Sequence, residues 1–397
     1  MKAAAEPKNI LLVSQFLSGG GLERMVHLLG KCLVDDFGCK VYFYSFDNEC
    51  DPVVQKHLIE NFGIQAIHEK KSSGFSGSTV SGLLKIIREK NIQVIHTHET
   101  APLMYGVIAK IVALMYGRRI KLIHTQHSFI HLQKRNFIRH YDRSFQMLAS
   151  HLTSVSTQVK AEYGRIGVSL ARVQCIDNGV EFPKKLIFGN EKKALRAELL
   201  SGDIKPEVAD FLKKEINSLW LISMARVHPK KGQDRLIGIW GELPDAIKKR
   251  SVMIFAGPET EPGEVARLKA LLKGMSYPER VVFLGSTPAP VRWLQGADIF
   301  LSGSEYEGMP LAPIEACGAG LPLILSSIEG HRLLGQQARY FTFDRPAEGA
   351  AATVDCIAEF DRDPAGLEDK SRKNAAEMQR LYSIQQMTRN YYNLYCN

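Results

Sequence analysis

The chain of 397 residues reads SEYEGMPLAPIE at positions 304–315. A short apolar run at positions 298–301 precedes this stretch, which predicts a strand that ends in a loop marked by glycine and proline. Glu307 falls in that loop, and Glu315 falls about two turns into the helix that is predicted to follow. Carboxylates at these two places can accept hydrogen bonds from different hydroxyl groups of one extended ligand.

Gly308, Met309, Pro310 and Leu311 lie at the start of the same predicted helix. Backbone amides at a helix N-terminus favour a phosphate or sugar oxygen, because the helix dipole is positive there. Two glutamates around a helix start are nevertheless common. The spacing alone therefore indicates a binding site without identifying its ligand.

The same alternation of short apolar runs and amphipathic stretches extends through both halves of the chain. It predicts α/β architecture with parallel, doubly wound sheets. The predicted strands lie at residues 9–14, 41–46, 93–96, 121–125, 152–156 and 173–176, and then at 219–224, 251–256, 281–284, 298–301 and 321–325. A lysine-rich stretch without strand candidates separates the two groups, so the predicted domains are residues 1–182 and 183–375, followed by a C-terminal helical segment at 376–397.

Composition narrows the class of protein further. A hydrophobic content of 45% and a charged content of 23% are typical of a folded globular chain, and the length suits two domains. The seven cysteines form no C-x-x-C pair, which favours packed thiols over disulfides or a zinc site. The longest apolar run, at residues 103–116, is interrupted by Lys110 and too short to span a bilayer, so it predicts a buried helix. The start of the chain has no signal-peptide pattern, and a cytoplasmic protein is therefore expected.

The formal net charge of +9 is concentrated in the N-terminal half, where residues 1–182 carry +7 and ten of the twelve histidines. Such a surface suits phosphate-bearing partners, including an anionic membrane, although a solvated charged face is an equal alternative. Within it, Arg135, Arg139 and Arg143 would share one face if residues 134–143 form a helix.

Two further loops carry candidate binding groups. Arg226 follows the predicted strand at 219–224, and Lys231 stands at the entry of the next helix. A planar guanidinium and an ammonium above a helix N-terminus suit a diphosphate, whereas a solvated basic loop is the simpler alternative.

Gly20 and Gly21 follow the first strand and open the first helix, where a backbone without side chains can approach an anion. The loop lacks the G-x-G-x-x-G pattern and the downstream acid of a nicotinamide enzyme, and a plain tight turn remains open.

Together these residues resemble family 4 of the retaining glycosyltransferases, which have the GT-B fold. The resemblance rests on the E-x7-E pattern at Glu307 and Glu315 and on landmarks in the family's order: Gly20 to Arg24, His127, Asn178 to Val180, and Arg226 with Lys231 and Gly232. It implies two facing Rossmann-like domains with an active-site cleft between them, the first for the acceptor and the second for the nucleotide-sugar. It also implies a last helix that crosses back onto the first domain.

The resemblance assigns roles by matching position. Arg226 and Lys231 would neutralise the departing diphosphate, Glu315 would hold the ribose hydroxyls, and Glu307 would lie near the transferred sugar. His127 would lie near the donor sugar and the acceptor, and Gly20 and Gly21 beside the diphosphate. The chain departs from the family pattern at Gly303, where a proline is usual, and at His331 and Arg332, where a glutamate is usual.

The expected function is a metal-independent, retaining transfer of a sugar from a nucleotide diphosphate sugar to a glycan or lipid-linked acceptor. UDP-hexose or UDP-N-acetylhexosamine is the favoured donor, GDP-mannose the second candidate, and no cofactor is implied. The expected setting is surface polysaccharide or lipopolysaccharide synthesis, in the cytoplasm or on the inner face of the cytoplasmic membrane. The alternatives are a sugar-nucleotide epimerase, an inverting GT-B transferase or, less favoured, a non-catalytic binder of an anionic ligand; no nucleic-acid partner is expected.

Overall fold

The structure, a computed structural model, describes residues 8–17, 21–47, 50–71, 74–127, 143–202, 204–287 and 289–397. The chain divides into two compact units. The first comprises Met1–Gly179 and Ile384–Asn397, and the second comprises Val180–Ser383. The boundary between the two units after Gly179 thus falls three residues before the predicted domain boundary at residue 182.

The first unit contains a parallel sheet of seven strands in the order β3-β2-β1-β4-β5-β6-β7. The strands are β1 (Asn9–Ser14), β2 (Lys40–Phe46), β3 (Gln65–Glu69), β4 (Val94–His98), β5 (Lys121–Gln126), β6 (His151–Ser154) and β7 (Val173–Cys175). The helices between them are α1 (Gly21–Phe37), α2 (Pro52–Phe62), α3 (Gly77–Glu89), α4 (Thr100–Met115) and α5 (Thr157–Arg165), and residues 143–148 are also helical. Side chains alternate across β1, so that Leu11 and Val13 pack towards α3 and α4 while Ile10 and Leu12 pack towards α1.

The second unit contains a parallel sheet of six strands in the order β10-β9-β8-β11-β12-β13. The strands are β8 (Leu219–Met224), β9 (Ser251–Ala256), β10 (Val281–Gly285), β11 (Ile299–Ser302), β12 (Leu323–Ser326) and β13 (Ala338–Phe341). The helices are α6 (Asn190–Leu199), α7 (Pro206–Lys214), α8 (Gln233–Glu242), α9 (Asp245–Lys249), α10 (Glu264–Leu272), α11 (Pro290–Gly296), α12 (Leu311–Gly318), α13 (Glu329–Arg332), α14 (Pro346–Arg362) and α15 (Pro364–Tyr382). The predicted α/β architecture with doubly wound parallel sheets is confirmed in both units.

The end of the chain differs from the predicted helical segment at 376–397. Helix α15 continues to Tyr382 and stays in the second unit, where Met378 is part of the core. Ser383 is extended, and a separate helix, α16 (Ile384–Cys396), packs in the first unit. Two buried tyrosines of α16 bind the sheet there: Tyr395 Oη lies 2.7 Å from His96 Nδ1, and Tyr391 Oη lies 3.1 Å from Thr125 Oγ1.

None of the helices among the described residues is both long and apolar enough to cross a bilayer. Helix α4, which contains most of the longest apolar stretch of the sequence, is buried along its first three turns by Leu103, Val107 and Ala109. In its last turn Ala113 is buried, whereas Leu114 and Met115 are exposed.

Candidate active site

Lys231 and Glu307 meet at the carboxyl edge of the second sheet. Lys231 ends the one-turn 3-10 helix Pro229–Lys231 that follows β8, and Glu307 lies in the loop that follows β11, the neighbour of β8 in the sheet. The Nζ of Lys231 lies 2.7 Å from Oε1 of Glu307, and the two side chains are 23% and 16% exposed. An ammonium has three N–H donors, so this pair leaves two of them for other oxygens.

A buried polar network orients Glu307 from below. Ser304 Oγ donates to Oε1 of Glu307 at 2.7 Å, and Ser326 Oγ donates to the carbonyl oxygen of Ser304 at 2.7 Å. His331 Nδ1 lies 2.8 Å from the carbonyl oxygen of Ser326, and its pKa is lowered mainly by burial. A neutral imidazole therefore supports the loop, which fixes the position of the carboxylate above it.

Glycine residues allow the loops at this edge of the sheet to lie in direct backbone contact. Gly232 has a φ of +67°, and a Cβ atom there would lie 1.9 Å from the carbonyl oxygen of Gly303. A Cβ atom at Gly303 would lie 2.4 Å from the carbonyl oxygen of Gly232, so a proline at this position, as in the family pattern, would not fit. Gly330 packs in the same way, since its Cβ would lie 2.2 Å from the carbonyl oxygen of Glu307. Backbone thus packs directly on backbone around Lys231 and Glu307.

The remaining residues of the 304–315 stretch lie on helix α12 or at its start. Gly308, Met309 and Pro310 precede the helix, Leu311 begins it, and the carbonyl oxygen of Pro310 accepts the hydrogen bond from Ile314 N. Glu315, which is partly buried, is the fifth residue of the helix. The prediction that Glu315 lies about two turns into the helix is therefore wrong: the helix begins later, and Glu315 lies about one turn into it.

Arg226 lies in the loop after β8, as predicted, and its side chain is exposed. The loop is held by Gln233, whose Nε2 donates to the carbonyl oxygen of Arg226 at 2.9 Å. Among the described residues, no hydrogen bond or ion pair joins the guanidinium of Arg226 to Lys231 or Glu307.

The first unit places His127 directly after β5, at the carboxyl edge of its own sheet. Nε2 of His127 lies 3.2 Å from Nδ1 of His98, the last residue of the neighbouring strand β4. Burial, with a smaller contribution from His124, lowers the pKa of His127 to about 3. The imidazole is therefore neutral near neutral pH, with one nitrogen as donor and the other as acceptor. Gly21 begins α1, which follows β1, the other neighbour of β4 in the sheet. Gly20 lies outside the described residues.

Sequence reasoning missed several residues that support these groups. Glu99 follows His98 with a φ of +72°, which is uncommon for a residue other than glycine, and such strained residues cluster at functional sites. Gln126 Nε2 donates to the carboxylate of Glu99 at 2.8 Å. The signal available in the sequence was the clustering of polar residues where β4 and β5 end. Ser304 was also missed as a support, although it stands only three residues before Glu307 in the sequence.

Because the first unit contains buried histidines, we expect the free energy of unfolding to fall at acidic pH. Burial lowers the pKa of His27 and of His124 to about 4. Because the unfolded histidines bind a proton below about pH 6.5 and the folded ones do not, the free energy of unfolding falls by up to about 1.4 kcal/mol per pH unit for each group as the pH drops from 6.5 towards the folded value. We therefore expect a lower urea midpoint at pH 5 than at pH 7.

His27→Leu provides the matched variant, because Nε2 of His27 is buried and has no hydrogen-bond partner among the described residues. Removing this group is expected to reduce the loss of stability between pH 7 and pH 5 by about 2 kcal/mol. The same pH dependence in the wild type and in the variant would contradict the assignment of a neutral, buried His27.

Sequence models of two families match the chain in succession. The model "Glycosyltransferase Family 4" matches residues 19–182, and the model "Glycosyl transferases group 1" matches residues 205–377. The chain is 25% identical over 139 residues to the lipopolysaccharide core biosynthesis mannosyltransferase LpsB of Rhizobium meliloti, covering 34% of this chain and 40% of that one. It is 40% identical over 60 residues to a UDP-Gal:alpha-D-GlcNAc-diphosphoundecaprenol alpha-1,3-galactosyltransferase of Escherichia coli, covering 15% of this chain and 16% of that one. Each match thus spans less than half of the curated relative.

Solved structures resemble the whole chain. HepE of Anabaena, in complex with UDP and glucose, superposes with a TM-score of 0.76 at 17% identity, covering 98% of this chain and 99% of that one. The trehalose-6-phosphate protein of E. coli, bound with UDP-2-fluoro glucose, gives a TM-score of 0.68 at 12% identity, covering 98% and 99%. At these identities the likeness shows the fold, which is that of the GT-B glycosyltransferases.

Proposed function

The chain belongs to the family-4 type of GT-B glycosyltransferases, and from this membership we propose that it transfers a sugar from a nucleotide diphosphate sugar to a hydroxyl group of a glycan or lipid-linked acceptor, with retention of the anomeric configuration. The observation that carries the proposal is the ion pair of Lys231 with Glu307 at the carboxyl edge of the second sheet, beside the start of α12. In open α/β sheets, ligands bind outside this edge.

In the proposed reaction, the bond between the anomeric carbon and the donor's diphosphate breaks, and negative charge grows on the diphosphate. The ammonium of Lys231 and the guanidinium of Arg226 stabilise that charge, which is the role of a divalent ion in other transferases. The acceptor oxygen attacks from the face that the diphosphate leaves, and its proton passes to the departing phosphate oxygen. We therefore propose that transfer requires no metal.

Within the same proposal, Glu315 binds the ribose hydroxyls and Glu307 lies near the transferred sugar. His127, as a neutral imidazole, hydrogen-bonds the sugar or the acceptor. Gly20 and Gly21 approach the diphosphate, and the backbone of residues 308–311 contributes amide groups. UDP-hexose or UDP-N-acetylhexosamine is the preferred donor, supported by the UDP in the HepE complex and by the UDP-Gal of the E. coli relative.

The proposed acceptor belongs to surface polysaccharide or lipopolysaccharide synthesis, supported by the activities named for the two curated relatives. Such acceptors carry lipid, so we propose that the reaction takes place at the inner face of the cytoplasmic membrane. An inverting transferase or a sugar-nucleotide epimerase would use the same fold, and the configuration of the product distinguishes these from a retaining transfer.

The test is donor turnover by the purified protein with UDP-glucose, UDP-galactose, UDP-N-acetylglucosamine or GDP-mannose. Binding to the native state raises apparent stability by RT ln(1 + [L]/Kd), so a thermal-shift panel of these donors identifies the nucleotide first. We expect the largest shift with a UDP-sugar, turnover that is unchanged by EDTA, and an α-linked product by NMR. Loss of turnover in EDTA would contradict metal independence, and a β-linked product would contradict retention.

A further inference from the structure

The C-terminal end of helix α4 exposes large apolar side chains to solvent. Met115 is 79% exposed and Tyr116, which follows the helix, is 81% exposed. Leu114, beside Met115, and Ile111, one turn earlier, are exposed as well. The sequence predicted a buried helix over this whole stretch, and the structure contradicts that prediction at its end. Single exposed apolar residues are ordinary, but a contiguous group marks an interaction site.

A second segment extends this exposed group. The Nζ of Lys110 donates to the carbonyl oxygen of Leu148 at 2.9 Å and lies 3.2 Å from Ser150 Oγ. These bonds hold the helical residues 143–148 beside the end of α4, where Met147 and Leu148 are both exposed. We call Ile111, Leu114, Met115, Tyr116, Met147 and Leu148 the α4 surface.

Basic side chains border the α4 surface. A groove of about 760 Å³ lies between α3 and the end of α4, lined among others by Lys85, Arg88, Tyr116 and Arg118. Within the part of the chain that the structure describes, no acidic residue lines this groove. The guanidinium of Arg118 is fixed by a hydrogen bond of 3.2 Å to Asn91 Oδ1, and the next residue, Arg119, is exposed. Lys85 and Arg88 are exposed on α3.

An apolar centre with a cationic border fits one partner chemistry in particular. Leucine and methionine side chains lower their free energy by entering the acyl region of a bilayer, and a tyrosine is stabilised at the level of the headgroups. Each nearby Lys or Arg adds attraction to anionic headgroups. We propose that the α4 surface is the face on which this protein docks to a bilayer that contains anionic phospholipid.

This inference goes beyond the proposed function, because the end of α4 lies just before β5 begins, at the amino edge of the first sheet, and not at the carboxyl edge that carries His127. It depends on the described residues of α3, α4 and 143–148, and not on the basic stretch at 134–142, which lies outside them. Vesicle binding is measured without donor or acceptor, so that docking and transfer can each fail alone.

The experiment is co-sedimentation of the 397-residue chain with vesicles of phosphatidylglycerol and phosphatidylcholine in equal parts, compared with vesicles of phosphatidylcholine alone. The wild type is expected to bind the anionic vesicles more tightly. The charge variant Lys85→Gln/Arg88→Gln/Arg119→Gln is expected to bind them roughly a hundredfold more weakly, since each removed charge accounts for about 1 kcal/mol. The apolar variant Leu114→Ser/Met115→Ser/Tyr116→Ser is expected to lose at least about tenfold.

Matched controls lie in the second unit. Leu271→Ser/Leu333→Ser/Leu381→Ser removes three exposed leucines, and Lys184→Gln/Lys214→Gln/Lys273→Gln removes three exposed lysines. Both are expected to bind vesicles as the wild type does. Tyr116→Trp provides a second readout that does not depend on a multiple variant, because the three native tryptophans Trp220, Trp240 and Trp293 are buried. A blue shift of its fluorescence with anionic vesicles is expected.

Three results would each overturn the proposal. The first is equal binding to anionic and neutral vesicles. The second is wild-type binding by the folded apolar variant, together with a fluorescence spectrum of the Tyr116→Trp variant that anionic vesicles leave unshifted. The third is a dimer in size-exclusion chromatography that the apolar variant dissociates, with no vesicle binding, since a second copy of the chain would then cover the α4 surface.

Discussion

Replacing Lys231 with alanine is expected to lower kcat by about 10²- to 10³-fold, the loss that follows removal of one preorganised group that stabilises developing charge. The ammonium is held in place by the carboxylate of Glu307 at 2.7 Å, so it needs no reorganisation when charge grows on the leaving diphosphate. Because the contact is made with the transition state, kcat should fall more than KM rises. The measurement is steady-state turnover of the donor identified in the thermal-shift panel.

Lys230→Ala is the matched control for this prediction. Lys230 is the preceding residue of the same 3-10 helix, and its side chain is exposed. The control should keep nearly all of the wild-type kcat. If Lys231→Ala retains half of the wild-type rate while remaining folded, the proposed role of Lys231 is wrong, whatever the control shows.

Replacing Gly232 with alanine is expected to destabilise the protein by about 2–5 kcal/mol, from the cost of a left-handed residue and of steric overlap with backbone. The new Cβ atom would lie 1.9 Å from the carbonyl oxygen of Gly303, so one of the two loops must move. Lys231 directly precedes Gly232 and Glu307 lies on the Gly303 loop, so their ion pair should be disturbed and turnover should fall as well. Urea unfolding and donor turnover measure the two effects.

Gly263→Ala separates the steric effect from the conformational one. Gly263 also stands at the N-cap of a helix with a positive φ, +84°, but nothing lies within 4 Å of the position that its Cβ would take. This variant should lose only about 1–2 kcal/mol and keep its activity. Equal destabilisation by the two substitutions would show that the contact between the Gly232 and Gly303 loops has no energetic importance.

The sequence predicted the central strands well because they are buried on both faces. Two of the four edge strands, β3 (Gln65–Glu69) and β13 (Ala338–Phe341), were missed, since their residues are partly exposed and polar and so lack an apolar run. The position of Glu315 was misjudged because the proline at 310 delays the start of α12. The local sequence pattern therefore did not identify these two edge strands or the first residue of α12.

The candidate site was predictable as a set of residues but not as a geometry. The glutamate of the E-x7-E pattern and the lysine before Gly232 are separated by 76 positions, and nothing in their spacing indicates a direct ion pair. The pair forms because β8 and β11 are neighbours in the sheet. Only the structure explains the two departures from the family pattern. Gly303 packs against the backbone of Gly232, and His331 hydrogen-bonds the carbonyl oxygen of Ser326.

Helix α16 has a consequence for how the protein is made. Met387, Tyr391 and Tyr395 cover a face of the first sheet, so that face is incomplete until α16 has been translated. At a synthesis rate of about 5–20 residues per second, the first unit waits roughly 10–40 s for the second unit to be synthesised before its own core can close. During that interval the nascent chain presents uncovered β-strands to the cell, and chaperones that bind such surfaces have time to act.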